Sequence, residues 1–234
     1  MTMTLKVCSG NGMSSSFREL MPQFERAHHC KIELHFEPAQ VLLRKIKSGM
    51  AVDLLILGKG VMNQLVKDEY VIEDSVHVLT RNGIGVGVLK GAAKPDLSSV
   101  DAFKRALLNA KSVAYTTEGA SGIYFAGLIE KLGIAEAIKA KAKTQPGGLV
   151  ADLVVSGKAE LAVQQIPEIK AVAGADYAGP IPKEIQSISV NAGGIFTNSK
   201  HPKQAQALLD FLRGPVAAEV FRARGLEPEN DSAL

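Results

Sequence analysis

Apolar residues follow helix and strand periods in turn along almost the whole chain. From Phe17 onward, the apolar positions of 14–28 recur at the three- and four-residue spacing of one helix face. Residues 31–36 instead alternate between apolar and polar side chains, as in a strand. Residues 53–57 form an unbroken apolar run, which is typical of a strand buried on both faces. This alternation of strands and helices predicts an α/β fold with parallel sheets.

The same criteria assign elements to the rest of the chain. The predicted strands are 5–9, 31–36, 53–57, 76–80, 84–89, 112–115, 161–163 and 187–196. The predicted helices are 14–28, 41–48, 61–68, 101–110, 122–132, 135–143, 149–156, 202–213 and 216–224. Glycines mark several helix ends, and Gly214 with Pro215 separates the last two helices.

Composition and charge exclude several classes of protein. Apolar residues make up 46% and charged residues 22% of the 234 residues, which is ordinary for a globular protein. No uninterrupted apolar run reaches about 18 residues, so no membrane insertion is expected. The net charge is only +3 and aromatic residues make up 5%, with no tryptophan, so no nucleic-acid partner is expected.

The cysteines and histidines do not indicate a metal site. Cys8 lies in an apolar run and is expected to be a buried, inert thiol. Two free thiols, Cys8 and Cys30, fit a reducing compartment. The alternative, a single disulfide between them, is left open by the sequence. Neither a CxxC nor an HxxxH spacing occurs, so we expect no metal and no other cofactor.

The start of the chain carries an expectation about location. Residues 1–4 lead directly into the first predicted strand, without a basic region followed by an apolar segment and a cleavage site. As written, the chain is expected to be cytoplasmic, and it would be periplasmic if a signal had been removed.

Small, polar turns follow five of the predicted strands, where open parallel sheets bind their ligands. These turns are 9–14, 37–40, 58–60, 116–122 and 164–168. Helix starts present unpaired N–H groups that attract anions, although each turn taken alone could serve only as a cap. The candidate ligand-binding residues are Asn11, Gly12, Met13, Gln40, Arg81, Ser121, Gly122, Gln164 and Gln165.

Three charged residues near these turns have two interpretations each. Arg81 follows an apolar strand and could pair with a ligand carboxylate or form a surface salt bridge. Glu168 and Glu118 lie in strand-to-helix turns and are the candidate catalytic residues, as general bases with raised pKa values. Equally, they could be helix-start carboxylates that complement the helix dipole.

Nucleotide-binding and hydrolase motifs are incomplete. Gly10-Asn11-Gly12 opens a helix after the first strand, but Ser15 stands where a dinucleotide fingerprint has its third glycine. The turn 58–60 lacks the spacing of a phosphate loop. No GxSxG occurs, and none of the five histidines lies in a strand-to-helix turn.

Several segments resemble the type II periplasmic substrate-binding proteins, specifically the molybdate-binding proteins of ABC transporters. The resemblance covers nearly the whole chain. It is carried by FERAHHCKIELHF (24–36), LLRKIKSGMAVDLLIL (42–57), SGIYFAGLIEKLGI (121–134), LVVSGKAELAVQQIPEI (153–169) and HPKQAQALLDFLRGPVAAEVFRARG (201–225).

The resemblance implies a two-lobe α/β fold with mostly parallel sheets and two crossing strands. Lobe 1 would comprise 1–82 and 187–234, and lobe 2 would comprise 83–186. A small anion, either a molybdate-like oxyanion or a carboxylate, would lie in the cleft between the lobes and be held by helix N-termini. If the chain is exported, a transporter permease would be its partner.

The first two turns depart from the molybdate-binding pattern. Molybdate binders place serine hydroxyls there, whereas the corresponding stretches here are 10–13 and 37–40. Amide side chains suit a carboxylate-bearing ligand, and proteins similar to this subgroup include aconitate isomerases. The alternative to a binding protein is therefore a cofactor-independent isomerase of a small polycarboxylate on the same scaffold. An anion sensor inside the cell is a third interpretation, and the sequence leaves the choice open.

Overall fold

We describe a computed structural model that covers residues 3–37 and 39–229. Within these residues the strands are β1 (Thr4–Ser9), β2 (Lys31–Phe36), β3 (Leu54–Gly58), β4 (His77–Asn82), β5 (Ile84–Leu89), β6 (Val113–Thr116), β7 (Ala142–Gln145), β8 (Leu161–Gln165), β9 (Ala175–Pro180), β10 (Ser189–Ile195) and β11 (Glu227–Pro228). The helices are α1 (Ser14–His28), α2 (Ala39–Lys47), α3 (Lys59–Lys67), α4 (Val100–Asn109), α5 (Ala120–Lys131), α6 (Ala135–Lys139), α7 (Ala151–Val155), α8 (Ile166–Lys170), α9 (Pro202–Leu212) and α10 (Pro215–Ala223). None of these helices is long and apolar enough to cross a membrane.

The chain divides into two compact units. The first unit contains the residues up to Arg81 and those from Ser189 onward, and the second unit is Asn82–Ile188. The chain therefore leaves the first unit between β4 and β5 and returns to it just before β10.

The sheet of the first unit has the strand order β11-β4-β10-β3-β1-β2. Strand β1 pairs in parallel with β2 and β3, whereas β10 runs antiparallel to β3 and β11 antiparallel to β4. One face packs against α1, α9 and α10, where Phe17, Phe24 and Phe221 are buried. The other face packs against α2 and α3 through Leu42 and Met62. Helices on both faces explain why β3 is almost entirely apolar.

The second unit repeats this design around the strand order β7-β6-β8-β5-β9. Strand β6 pairs in parallel with β7 and β8, and β5 runs antiparallel to both β8 and β9. One face is covered by α4, α5 and α6, which bury Phe103, Phe125 and Ile138. The opposite face packs against α7 through Val150 and Val154.

The structure corrects the predicted elements at several places. Residues 142–143, expected in the last turn of a helix over 135–143, begin the edge strand β7, and 175–180 form the unpredicted strand β9. Helix α8 was also missed. The sheets are mixed, so the expected parallel pairing holds for β1 with its neighbours and for β6 with its neighbours, but not for the antiparallel strands.

The side chain of Gln186 joins the two ends of the second unit. Its Oε1 accepts from the N–H groups of Ile84 at 2.8 Å and Ser187 at 2.9 Å, and its Nε2 donates to the Ile84 carbonyl at 2.9 Å. A Cβ at Gly83 would lie 2.9 Å from Cδ of Gln186, which leaves no room for a side chain there. The entry and exit segments of the second unit are thus held together by one half-buried amide.

Asp53 joins three segments of the first unit. Its carboxylate accepts from the N–H groups of Lys6 at 2.9 Å and Lys200 at 3.1 Å, and from the Ser199 hydroxyl at 2.7 Å. The residue is almost fully buried beside β3. Burying a carboxylate without hydrogen-bond donors would be costly. The three donors offset this cost for Asp53.

We predict that Asp53→Ala lowers the free energy of unfolding by about 3 kcal/mol, because three donors lose their acceptor. The exposed Asp152 is the matched control, and its change to alanine is expected to cost less than about 1 kcal/mol. Urea denaturation followed by circular dichroism measures both. Equal costs for the two variants would contradict the role given to Asp53.

Candidate functional site

The first candidate turn connects β1 to α1. The Gly10 N–H donates to the Ile56 carbonyl at 3.2 Å, and the Met13 N–H donates to the Gly10 carbonyl at 3.3 Å, closing a short 3₁₀ turn that continues into α1. Asn11 and Gly12 lie in this turn and are half-buried. Because the first N–H groups of a helical segment have no carbonyl partner within it, this turn retains donors for an anion.

Met13 has a different role from the ligand contact expected of it. Its side chain is 2% exposed and packs in the core of the first unit. The Thr80 hydroxyl lies 3.8 Å from the Met13 sulfur and donates to it. With its N–H also engaged, Met13 supports the turn from the core side.

Gln40 lies in the first turn of α2, and its side chain is exposed. The neighbouring Glu37 is anchored, since its N–H donates to the Ser9 carbonyl at 3.2 Å and its carboxylate pairs with Lys45. Two of the three candidate turns of the first unit, 9–14 and 37–40, are therefore joined by a backbone hydrogen bond.

Arg81 forms the salt bridge that was the alternative to ligand binding. Its Nε lies 2.9 Å from Oε2 of Glu229, and a terminal guanidinium nitrogen lies 3.0 Å from Oε1. The pair is supported by the pairing of β4 with β11, and Glu229 raises the pKa of Arg81 above its ordinary value. The expected cation is thus neutralised within the first unit.

The turn between β6 and α5 is the most tightly packed of the candidate turns. A Cβ at Gly122 would lie 1.7 Å from the Thr116 carbonyl oxygen, and one at Gly119 would lie 2.4 Å from Thr116 Oγ1. The first residues of α5 therefore rest directly on the end of β6. Ser121 is buried beside this contact.

The Thr116 hydroxyl lies against the first turn of α5. Thr116 is 2% exposed, and its Oγ1 has no hydrogen-bond partner among residues 3–37 and 39–229. The first backbone hydrogen bond at this end of α5 runs from the Ile123 N–H to the Gly119 carbonyl at 2.9 Å. The earlier N–H groups of the helix and this hydroxyl together form a neutral, donor-rich end of the second unit.

The loop 146–150, which follows β7, lies against the same turn. The Thr117 N–H donates to the Gln145 carbonyl at 2.9 Å, and the Glu118 N–H donates to the Pro146 carbonyl at 3.0 Å. The Glu118 side chain is exposed. One backbone hydrogen bond to the end of β7 and one to the start of the loop thus hold the loop beside the start of α5.

Gln164 and Gln165 use their side chains within the second unit. Gln164 is 2% exposed, its Oε1 accepts from the Val150 N–H at 2.9 Å, and its Nε2 donates to the Gly148 carbonyl at 2.7 Å. The Gln165 side chain accepts from the Asn82 amide. Gln164 therefore holds the loop 146–150 and is not a free ligand contact.

Glu168 lies in the first turn of α8. Its carboxyl group accepts hydrogen bonds from the Gln164 amide and from the Gln165 backbone, the latter in the manner of a capping box. Burial raises the pKa of Glu168, and the two hydrogen bonds lower it. Burial has the larger effect, so the pKa is raised to about 7. A carboxyl group with this pKa can both accept and return a proton near neutral pH, so the capping and acid–base interpretations are compatible here.

The structure brings together the candidates of the second unit. Gln164 is hydrogen-bonded to Gly148 and Val150 of the loop 146–150, and the same loop accepts from the Glu118 N–H at Pro146. Thr116 belongs to the predicted turn 116–122 but was not named as a ligand-binding residue, and the loop 146–150 was missed. The signal was the run Pro146-Gly147-Gly148, which would have joined the list of strand-to-helix turns if β7 had been recognised.

The cysteine prediction is confirmed for Cys8, which is buried, and burial raises the pKa of its thiol to about 12. Cys30 is also buried, and both thiols are free. Within residues 3–37 and 39–229, no group of three or more histidine, cysteine, aspartate or glutamate side chains is placed to hold a metal ion.

Comparisons with known proteins give a consistent result. A family model described as bacterial extracellular solute-binding protein matches residues 5–227. The chain is 33% identical to an aconitate isomerase of a Pseudomonas species, over 96% of this chain and 88% of that protein. It is 24% identical to the molybdate-binding protein ModA of Azotobacter vinelandii, over 94% of this chain and 88% of that protein. The solved periplasmic molybdate-binding protein of Azotobacter vinelandii has a TM-score of 0.77 at 17% identity, covering 95% of this chain and 98% of that one. The family resemblance and the α/β fold class predicted from the sequence are thereby confirmed.

We predict that Gly122→Ala lowers the free energy of unfolding by about 2–3 kcal/mol, because its methyl group would overlap the Thr116 carbonyl. Gly127 provides a control in the same helix, since a Cβ there meets nothing within 4 Å. Gly127→Ala is expected to raise the free energy of unfolding by about 0.5–1 kcal/mol. Thermal or urea unfolding measures both, and a stabilising Gly122→Ala would contradict the packing described here.

Proposed function

The chain belongs to the family of bacterial extracellular solute-binding proteins, and on this premise we propose that it binds a small, carboxylate-bearing anion. The observation that carries the proposal is the donor-rich end of the second unit. There the start of α5, the unpartnered Thr116 hydroxyl and the loop 146–150 lie together at the carboxyl ends of parallel strands. This is the edge where α/β sheets bind their ligands.

The chemistry of this edge favours an anion held by neutral groups. Within the second unit, neither the turn 116–122 nor the loop 146–150 contains a basic residue. Unpaired N–H groups at a helix start carry the positive end of the helix dipole and bind anions without a counter-charge. It stays a prediction that the first unit contributes ligand contacts through Asn11, Gly12 and Gln40.

The class of anion is inferred from the relative with the higher sequence identity. That protein, at 33% identity, is an aconitate isomerase, and its name indicates a tricarboxylate substrate. The stretches 10–13 and 37–40 also lack the serines that the resemblance to molybdate binders implies. The resemblance also predicts that the two units are the lobes of the family fold. It predicts a transporter permease as partner if the protein is exported. Both stay predictions.

We predict that trans-aconitate and citrate raise the melting temperature, whereas sulfate, molybdate and tungstate raise it little. A ligand at a hundredfold excess over its dissociation constant stabilises the folded state by about 2.7 kcal/mol. Differential scanning fluorimetry with this panel is the measurement. Stabilisation by molybdate and tungstate alone would contradict the carboxylate proposal, and no stabilisation by any anion would contradict anion binding itself.

A second candidate function is isomerisation of a small polycarboxylate, and Glu168 is the observation that favours it. In such a reaction a proton leaves one carbon, the double bond migrates, and a proton is returned to another carbon, so the composition is unchanged. One carboxyl group with a pKa near 7 suffices for both transfers. Neutral N–H donors would stabilise the negative charge that develops on the substrate.

We predict that Glu168→Gln abolishes turnover of trans-aconitate while binding persists, because the amide cannot accept the proton. The expected loss of rate is about 10²-fold or more. Glu118→Gln is the matched control, since Glu118 is exposed, and it is expected to retain turnover. Proton NMR in deuterium oxide measures both the double-bond shift and deuterium incorporation. A wild-type protein that binds trans-aconitate without turnover would contradict the isomerase function, and an active Glu168→Gln would contradict the role of Glu168.

A further inference from the structure

A groove runs along α4 at the other end of the second unit's sheet from the proposed anion site. Its volume is about 370 Å³, and it is lined by the loop 93–96, by one face of α4 and by the start of β8. Leu161 opens β8 and pairs with Val113, which opens β6, so the groove lies at the amino ends of these parallel strands. A volume of this size is in the range of sites for small organic molecules.

Alanines spaced four residues apart form the floor of the groove. Side chains at this spacing lie on one face of a helix, so they follow the groove along its length: Ala102, Ala106 and Ala110. At a rise of 1.5 Å per residue, the floor is about 12 Å long. Its methyl groups offer an apolar surface to a bound molecule.

The wall formed by the loop 93–96 is anchored on both sides. Before it, the Gly91 N–H donates to the Asp176 carboxylate at 2.9 Å. After it, the Ser98 N–H donates to the Asp96 carboxylate, also at 2.9 Å. The groove is therefore built from segments that the fold already holds in place.

The charges that line the groove differ between its two ends. Lys94 and Asp96 belong to the wall beside the start of α4, and Arg105 follows them along the helix. Glu160 lies at the end of the helix, where its carboxylate accepts from the Lys111 N–H at 2.7 Å. Among residues 3–37 and 39–229, neither Lys94, Arg105 nor Glu160 forms a salt bridge. Two cations against one carboxylate leave a positive excess at the first end, and Glu160 makes the other end negative.

The nearest further cation at the negative end is engaged with the helix. Lys141 donates through its Nζ to the carbonyls of Leu108 and Ala110, at 2.6 Å each, and does not line the groove. These bonds satisfy carbonyls at the end of α4, which have no partner within the helix. Glu160 therefore remains the charged group that this end presents to a bound molecule.

We propose that the groove binds a short peptide with free ends, its carboxylate at Lys94 and Arg105 and its ammonium group at Glu160. A guanidinium group pairs with a carboxylate through two parallel hydrogen bonds. Three extended residues span about 10 Å, which matches the alanine floor, whereas a single amino acid carries both charges on one carbon. Small side chains suit the floor. This site is separate from the proposed anion site and does not depend on it.

The test titrates trialanine into the full chain labelled with nitrogen-15 and follows the backbone amides by NMR. We expect shifts in 93–96, 105–110 and 160. Arg105→Gln and Glu160→Gln should each weaken binding about fivefold, the upper range for an exposed ion pair. Lys104→Gln is the matched control, because Lys104 lies on the same helix but does not line the groove, and it should leave the affinity unchanged.

Two further comparisons test the space and the direction of the peptide. Ala106→Phe places a large side chain on the floor and should abolish the shifts, with circular dichroism as the check that the variant folds. N-acetyltrialanine has no ammonium group and should bind wild type about fivefold more weakly, but Glu160→Gln no more weakly than it binds wild type.

The absence of shifts with trialanine would overturn the proposal, as would shifts that persist in Ala106→Phe. Equal binding of trialanine and N-acetyltrialanine to the wild type would overturn the role of Glu160. If Ala106→Phe does not fold, Arg105→Gln and Lys104→Gln decide, because equal affinities in these two variants would overturn the site.

Discussion

The close contact between the end of β6 and the start of α5 determines the arrangement of the second unit's candidate site. Because Gly119 and Gly122 have no side chains, the first turn of the helix rests on Thr116 without intervening atoms. The same contact places the Thr116 hydroxyl at the helix start, where N–H groups have no helical partner. The Thr117 N–H then donates to the end of β7, and the Glu118 N–H donates to Pro146 at the start of the loop 146–150. Loss of the glycines would therefore alter the donors on which the proposed anion binding depends.

Local pattern was sufficient to predict most of the elements that form the two cores. The apolar spacing of 14–28 and the unbroken run of 53–57 correspond to α1 and β3, since burial on one face or on both leaves a direct periodic signal. Strand β7 has no such signal. Its sequence, AKTQ, is polar and only partly buried, and it is a strand because β6 offers it a parallel edge.

The candidate site was less predictable, because its side chains form hydrogen bonds and ion pairs with residues that are distant in the sequence. Arg81 is 148 residues from Glu229, and their pairing depends on β11 reaching β4. Gln164 was identified as a polar residue at a strand end, which is correct, but its partners belong to a loop after an unrecognised strand. Glu168 was identified as a carboxylate in a strand-to-helix turn. Its burial, which raises its pKa, becomes visible only when β8 and α8 are placed.

A solute receptor and an isomerase can share this scaffold because both require the same neutral donors for an anion. What separates them physically is the presence of a group that exchanges a proton at working pH close to the bound anion. Such a group has a cost for a receptor, because its ionised form repels the ligand that the donors attract. Glu168 is held by Gln164 and by its own helix start, two contacts that favour ionisation, while burial opposes it. Burial raises the pKa of Glu168 to about 7, a value suited to a group that both accepts and returns a proton near neutral pH. Glu168 is therefore the residue of the second unit on which the proposed isomerisation, as distinct from simple binding, depends.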